Sequence, residues 1–492
     1  MTGIVTFGGY VPRLRLQRQT IFAATGWFNP SLAALTNGER AIASWDEDAI
    51  TMGVEAARDC LGSRARSEIG RVYLASTSLP NADRQNSTIL KEALNLSDDA
   101  AALDVTGSRR AGTSALLDAF YAVAGSGSSA LCVASERSIT RPASEAEFVS
   151  AHAAAAMLIG QDGVAARFLG GHSMTLDFVD HFRAEGERFD YQWEQRWVRE
   201  EGYGKIVPAT AMKALKKCGV EAREIAHFLM AAPMKGINVT AARAIGIAPE
   251  AVVDVLGERL GDAGTAQPLI LLSHALERAG VGEKILMVGF GGGCDALVLE
   301  TTELLPKAKP AVGICGALEN RRVETSYFHY LASCGLIELD RGMRAELDQK
   351  PILTALYRER KTVLGLIGGR CSETGTVQFP RSLISVASDT RAVGTQEEYP
   401  LADRQAKVVS YTADSLTYTP DPPAYYGAIE FEGGGRLNTE FVDIESGQLR
   451  VGLPVRMVFR IKAVDERRGF TKYFWKAAPD EGRRDPRAAG TA

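Results

Sequence analysis

Two loops in this chain bring charged and hydroxyl side chains to the start of an apolar helix pattern, and both run into the same tripeptide. The first is Gly107-Ser108-Arg109-Arg110 before Ala111-Gly112-Thr113, and the second is Leu260-Gly261-Asp262 before Ala263-Gly264-Thr265. Backbone N–H groups at a helix start attract anions. Arg109 and Arg110 at such a start therefore form a candidate site for a phosphate or carboxylate, or else are solvated loop charges. Ser108 is the nearest nucleophile by type. Asp262, when ionised, only accepts hydrogen bonds. His152, in Ser150-Ala151-His152-Ala153, is a candidate for proton transfer or a satisfied core histidine. Gly291-Gly292-Gly293 can approach a bound molecule closely because glycine has no Cβ. Cys294 after it reads as a small buried hydrophobe.

The elements that must position these residues repeat. After each Ala-Gly-Thr comes an apolar helix, a Gly-rich turn and an apolar strand: AGTSALLDAFYAVAGSGSSALCVAS from Ala111 and AGTAQPLILLSHALERAGVGEKILMVGF from Ala263. Strands are expected over 72–75, 102–105, 130–134, 153–159, 228–231, 285–289 and 296–300. Helices are expected over 46–60, 87–94, 112–124, 208–218, 239–245 and 266–279. Alternation of this kind over 305 residues implies an α/β layered fold, and the repeat implies two similar βα halves, 1–170 and 171–305. The charged, aromatic stretch 176–204 reads as a lid or surface excursion. Leu305-Pro306-Lys307-Ala308-Lys309-Pro310 reads as a linker, opening a linker and helical segment over 306–365 with helices at 321–339 and 351–363. From 366 to 480 period-two runs with turns at Asp421-Pro422-Pro423 and Glu432-Gly433-Gly434-Gly435 imply a small all-β barrel of the OB type. Residues 481–492 read as a disordered tail.

Composition excludes several roles. The 492 residues carry a net charge of −4, which gives no electrostatic footprint for nucleic acid or an acidic membrane. No apolar run approaches the roughly 20 residues of a membrane span. The seven cysteines are scattered at 60, 132, 218, 294, 315, 334 and 371 with no pairing pattern, and a reducing cytoplasm is the simplest home.

The first 305 residues resemble the thiolase superfamily, in its hydroxymethylglutaryl-CoA synthase and β-ketoacyl-ACP synthase III branch. The stretches that carry the resemblance are GIVTFGGYVPRLRL, RRAGTSALLDAF, EFVSAHAAAAMLIG, DFVDHFR, LGDAGTAQPLILLSHALE and VGFGGGCDALVLE, in the family's order. The C-terminal part resembles the zinc-ribbon/OB-fold accessory protein of thiolases, through SYFHYL, GGRCSETGTVQFP, DPPAYYGAIEFEGGGRL and GFTKYFWKAAP. The chain is thus similar to a fusion of a synthase with its accessory domain.

What the resemblance implies about the site is mostly departure. The family's acyl-accepting Cys falls on Arg109, with Ser108 or Thr106 within a short register shift. Its His falls on Ala231, its amide donor Asn on Asp262, and its acid/base Glu on Thr77. The helix starts face each other in the family fold, so Asp262 could pair with an arginine. The accessory ribbon keeps Cys371 but has Thr374 at the second ligand position and lacks the later Cys pair. One thiolate cannot build a tetrahedral zinc site, so no metal is expected. The resemblance implies an acyl-CoA substrate, no resident cofactor, a homodimer and a potential thiolase partner. Two functions stay open. One is an acyltransferase or retro-aldol lyase acting on a carbon–carbon bond without an acyl-cysteine, with Ser108, Arg109, Asp262 and His152 as catalytic candidates and Arg110, Gly291, Gly292 and Gly293 binding substrate. The other is a non-catalytic acyl-CoA-binding scaffold for an active thiolase or synthase.

Overall fold

A nine-stranded sheet runs through the first 305 residues, and its strand order repeats. The computed structural model describes residues 1–480 apart from 346, 347, 388 and 390, so the expected tail at 481–492 lies outside the described residues. The elements are β1 (Gly3–Tyr10), α1 (Ala49–Leu61), β2 (Ile69–Ala75), β3 (Ala101–Val105), α2 (Ala111–Ser126), β4 (Ser129–Glu136) and β5 (Ala153–Gly160). They are followed by β6 (Ala166–Thr175), α3 (Val207–Cys218), β7 (Ile225–Met230), α4 (Gln267–Leu276), β8 (Lys284–Phe290) and β9 (Gly293–Thr301). The sheet order is β7-β8-β9-β6-β1-β5-β4-β2-β3. In the first half β3, β2 and β4 are parallel, while β5 opposes β4 and β1 opposes β5. In the second half β7 and β8 are parallel, while β9 opposes β8 and β6 opposes β9. The halves join where Gly3 and Ile4 of β1 meet Arg167 and Ala166 of β6. The second-half counterpart of β3 is a single bridge between Phe228 and Val252.

The expected division at 170/171 falls inside β6, so the second half begins at Ala166. In the sheet this segment pairs with β9 across a register shift, and a glycine in a strand often marks such an irregularity. Helices α2 and α4 share one side of the sheet and touch at their first turns, where a Cβ on Gly112 would collide with the Thr265 carbonyl. On the other side α1 starts from a capping box in which Asp48 accepts from Ile50 N and Thr51 N. This reciprocal cap satisfies otherwise orphaned N–H groups.

The segment after 305 is less helical than its sequence implies. The expected linker contains a helical turn, Leu305–Ala308, with Leu305 and Ala308 buried. Gly313–Glu319 is a helix whose Ile314 packs on Gly9. Arg322–Glu324 forms a strand parallel to Leu14–Gln17, and the helix expected from 321 is confined to Tyr327–Ser333. The available edge of Leu14–Gln17 outweighs local helix preference there, as tertiary context often does.

The C-terminal unit is a three-stranded ribbon (Ile367–Cys371, Val377–Gln378, Gln396–Pro400) and a barrel. The barrel strands are β10 (Ala406–Asp414), β11 (Ala424–Phe431), β12 (Arg436–Glu440), β13 (Pro454–Asp465) and β14 (Phe470–Pro479), in the order β12-β11-β10-β13-β14. A bridge from Phe441 to Ala477 brings the two ends together. The barrel packs on α1, sharing one apolar core that includes Met52, Phe459 and Trp475.

Candidate active site

The two arginines of the first helix entry have opposite surroundings. Arg110 is tied down: Nε donates to Gly291 O at 3.1 Å, Nη1 to Asp295 Oδ1 at 2.9 Å and Nη2 to Thr175 Oγ1 at 3.0 Å. Asp295 is fully buried and also accepts from Thr113 Oγ1 (3.1 Å) and Ser114 Oγ (2.5 Å). This network uses Arg110 to fasten α2 to β9. Ser108 is similarly occupied, since its Oγ donates to Gly291 O at 2.5 Å and accepts from Arg110 N at 3.2 Å. Arg109 instead keeps 26% of its side chain exposed and, among the described residues, pairs with one carboxylate, Asp190 Oδ2, at 3.7 Å. Burial opposes its charge, but Asp262, Asp180 and Asp190 outweigh that and hold the guanidinium above its ordinary value.

From Arg109 the polar groups close into a ring. Asp190 also pairs with Arg183 Nη1 at 2.9 Å, and Arg183 Nη2 donates to Thr77 O. Thr77 donates from N (3.1 Å) and Oγ1 (2.9 Å) to Glu136 Oε2. Glu136 Cγ lies against Gly264, where a Cβ would press on it, and Gly264 N donates to Asp262 Oδ1 at 3.0 Å. Asp262 and Arg109 complete the circuit through their mutual field. Both helix entries, the ends of β2 and β4 and the 176–206 insert thus meet at the carboxyl ends of parallel strands, where ligands of open α/β sheets bind.

The insert is more than a surface excursion. His181–Phe182 and Tyr191–Gln192 form a two-stranded ribbon, and a π-helix at Val198–Ile206 leads into α3. Phe178, Val198 and Tyr203 join a core cluster with Phe290. Burial raises the Tyr203 hydroxyl pKa, with Asp262 adding to the shift. Asp180 resists its own burial by bonding His181 Nδ1 at 3.0 Å and by facing Arg109, which together hold its carboxyl below the usual range.

His152 is fully buried with both ring nitrogens engaged: Nδ1 accepts from Ala43 N at 2.8 Å, so Nε2 carries the proton and donates to Ser138 O at 3.1 Å. Burial, with Arg40 and Arg137 nearby, drives its pKa far below the ordinary value. A neutral ring bonded at both nitrogens positions Ser138 rather than transferring protons. Gly291, Gly292 and Gly293 all have positive φ (156°, 58° and 118°), which a side chain rarely tolerates, and Gly291 abuts Ser108 and Arg109. No thiol enters the ring. Burial pushes Cys294 up to about 12 and Cys132 further still, so neither is a thiolate at neutral pH. At Gly289 a side chain would collide with Thr113.

Comparison with known proteins places this geometry. Over 301 residues the chain is 30% identical to a hydroxymethylglutaryl-CoA synthase of Pyrococcus horikoshii, covering 60% of this chain and 84% of the relative. The chain belongs to the hydroxymethylglutaryl-CoA synthase family. A synthase of Methanocaldococcus jannaschii is 30% identical over 320 residues, 63% of this chain and 91% of the relative. Residues 215–300 match the C-terminal domain of 3-oxoacyl-[acyl-carrier-protein] synthase III, and residues 399–460 match the C-terminal OB-fold domain of ChsH2. Among solved structures, an HMG-CoA synthase complexed with CoA superposes with a TM-score of 0.61 at 17% identity, over 71% of this chain and 94% of that one. OleA of Xanthomonas campestris gives 0.54 at 19% identity, over 61% and 98%. The fold is therefore the duplicated thiolase type followed by an OB-type unit.

The OB unit's ribbon does not fit zinc. Cys371 Sγ lies 3.2 Å from Thr395 Oγ1, and hydrogen bonds from Thr374 and Thr395 lower its pKa to about 6. Hydroxyls stand where further thiolates would be needed. Among the described residues no group of three or more His, Cys, Asp or Glu is placed to hold a metal ion.

The sequence singled out Arg109, Asp262, Ser108 and the glycines at this place, and also Arg110 and His152, whose bonds are those of support. It missed Glu136, Asp180, Arg183, Asp190 and Tyr203. Glu136 left one signal, a carboxylate ending the apolar run of β4. The insert's charges left none, because only a chain reversal brings them to the ring.

Proposed function

We propose that this chain acts on a CoA thioester at the bond between its α and β carbons, without an acyl-cysteine intermediate. The reaction is a retro-aldol cleavage of a 3-hydroxyacyl-CoA, or the related acyl transfer. The relatives' names point to CoA esters. The carrying observation is the first helix entry, where a partly exposed Arg109 faces a ring of polar groups that contains no thiol. A guanidinium at a helix start suits a thioester enolate or a substrate carboxylate, since preorganised positive charge is worth most where negative charge develops.

The reading needs no resident cofactor or metal. A homodimer is favoured by β3, an edge strand with Ala101 and Leu103 exposed, because an uncovered edge is a template for pairing. A thiolase partner is a further option for the OB unit. A cytoplasmic location is supported by seven free cysteines. Among the described residues no helix is long and apolar enough to cross a membrane.

The test is a panel of acyl-, 3-oxoacyl- and 3-hydroxyacyl-CoAs incubated with the purified protein, with products followed by mass spectrometry. The expected result is release of a shorter acyl-CoA and a carbonyl compound from a 3-hydroxyacyl-CoA. Tight binding of the esters with no turnover would replace this reading by the non-catalytic scaffold.

A further inference from the structure

Glu136 ends β4 at the carboxyl end of three parallel strands, and its side chain is only 1% exposed. It has no ion-pair partner among the described residues. Several other buried carboxylates are paired, Glu47 with Arg460, Glu55 with Arg58 and Arg456, and Asp295 with Arg110, while buried Asp48 and Glu147 are held by neutral donors, Tyr473 Oη and Tyr327 Oη among them, away from the ring. A buried carboxylate without a cation is costly, and this one stands at the carboxyl ends of parallel strands, where ligands of such sheets bind.

Three neutral donors hold it. Thr77 N and Oγ1 both bond Oε2, and Ser138 Oγ bonds Oε1 at 3.2 Å. An ionised carboxylate has roughly four acceptor sites, so one remains on Oε1. Thr77, Ser138 and Gly264, which touch it, are all partly exposed. The carboxylate thus lies directly beneath the floor of the ring, and His152 fixes Ser138 from behind.

We infer that Glu136 is the proton-transfer group of this site, an assignment that rests on the carbon–carbon reading above. In the cleavage direction its carboxylate takes the proton of the C3 hydroxyl of a 3-hydroxyacyl-CoA. The O–H electron pair becomes the new C3 carbonyl, the C2–C3 bond breaks, and its pair forms the thioester enolate. The proton on Glu136 then passes to C2, giving the shortened acyl-CoA and a free aldehyde or ketone, with no other reactant consumed. In reverse Glu136 removes a proton from C2. Thr77 acts as a positioning residue.

The experiment is exchange of the C2 hydrogens of acetyl-CoA in deuterium oxide, followed by mass spectrometry, beside cleavage assays and calorimetric binding of acetyl-CoA. Wild-type protein exchanges deuterium into C2. Glu136→Gln binds acetyl-CoA within about threefold of wild type but exchanges at least ~100-fold more slowly, as expected for loss of a general base. Thr77→Val slows exchange about tenfold and Thr77→Ser restores it, which also tests the assignment if Glu136→Gln does not fold. Exchange retained by folded Glu136→Gln overturns the assignment alone. Exchange lost in Glu136→Gln, in a protein that cleaves no 3-hydroxyacyl-CoA, upholds the assignment and removes the lyase reading. A wild-type protein that binds acetyl-CoA but neither exchanges nor cleaves overturns both.

Discussion

Charge gathers in two regions of this molecule, the seam between the barrel and α1 and the ring at the helix entries, and the two handle it oppositely. In the seam three consecutive acidic residues each meet a barrel partner. Asp46 pairs with Lys476 at 3.0 Å, Glu47 with Arg460, and Asp48 accepts from Tyr473 Oη at 2.6 Å. Arg460 and Glu47 keep 1% and 3% of their side-chain exposure. In the ring Arg109 stays a quarter exposed, and Glu136 has no cation partner among the described residues. Paired and sealed charge fixes the barrel in place, whereas incompletely paired charge at the strand ends is available to a ligand. Adjacent residues can fall on either side of that line, as Arg110 and Arg109 do.

The largest expected effect tests the sealed side. Glu47→Ala leaves Arg460 buried without its nearest carboxylate, and urea unfolding should show a loss of about 3–5 kcal/mol. An unchanged midpoint would show that the seam does not carry stability. Arg110→Met strands buried Asp295 in the same way, with about 2–4 kcal/mol expected from the same measurement.

A third prediction concerns a titratable group buried between these extremes. His274 on α4 is 3% exposed and neither ring nitrogen has a protein partner among the described residues. Burial lowers its pKa to about 4 from 6.5. The unfolded chain therefore binds the proton more readily, so the stabilising contribution is complete above pH 6.5 and is lost as pH falls from 6.5 towards 4. On the order of 2–3 kcal/mol should disappear over that window. His274→Leu should flatten the slope and raise stability by about 1 kcal/mol at pH 7. An unaltered slope would place the acid sensitivity elsewhere, with buried His152 the next group to test.

The smallest stability effect belongs to the open side. Arg109→Gln should shift unfolding by no more than about 1 kcal/mol, because its ion pair with Asp190 is long and partly solvated. Turnover of the CoA ester should nevertheless fall about 100-fold. A large stability loss with unchanged turnover would move Arg109 into the structural class with Arg110.

Much of this fold is legible from local pattern. The Ala-Gly-Thr repeat announced the duplicated halves because helix entry, apolar helix and strand leave a period that survives divergence. Strand β6 was missed because Gly170 and Gly171 carry no strand preference, and only the partner β9 makes the segment a strand. Arg322–Glu324 was missed for the same reason, its order coming from the edge of Leu14–Gln17. Within the site, Arg109 and Asp262 were legible by alignment of the two loops. Which arginine is loosely paired and which is fastened to Asp295 depends on a residue 185 positions away from Arg110, and no spacing rule reaches that far. The roles of Glu136 and the insert are hidden in the same way.

The central claim is that a ring with no thiol works on CoA esters directly. Intact-protein mass measured during turnover of a 3-hydroxyacyl-CoA, after an acid quench, tests it most directly. The account predicts product formation with the protein mass unchanged. A mass increase equal to the acyl group, located on any of the seven cysteines, would contradict it.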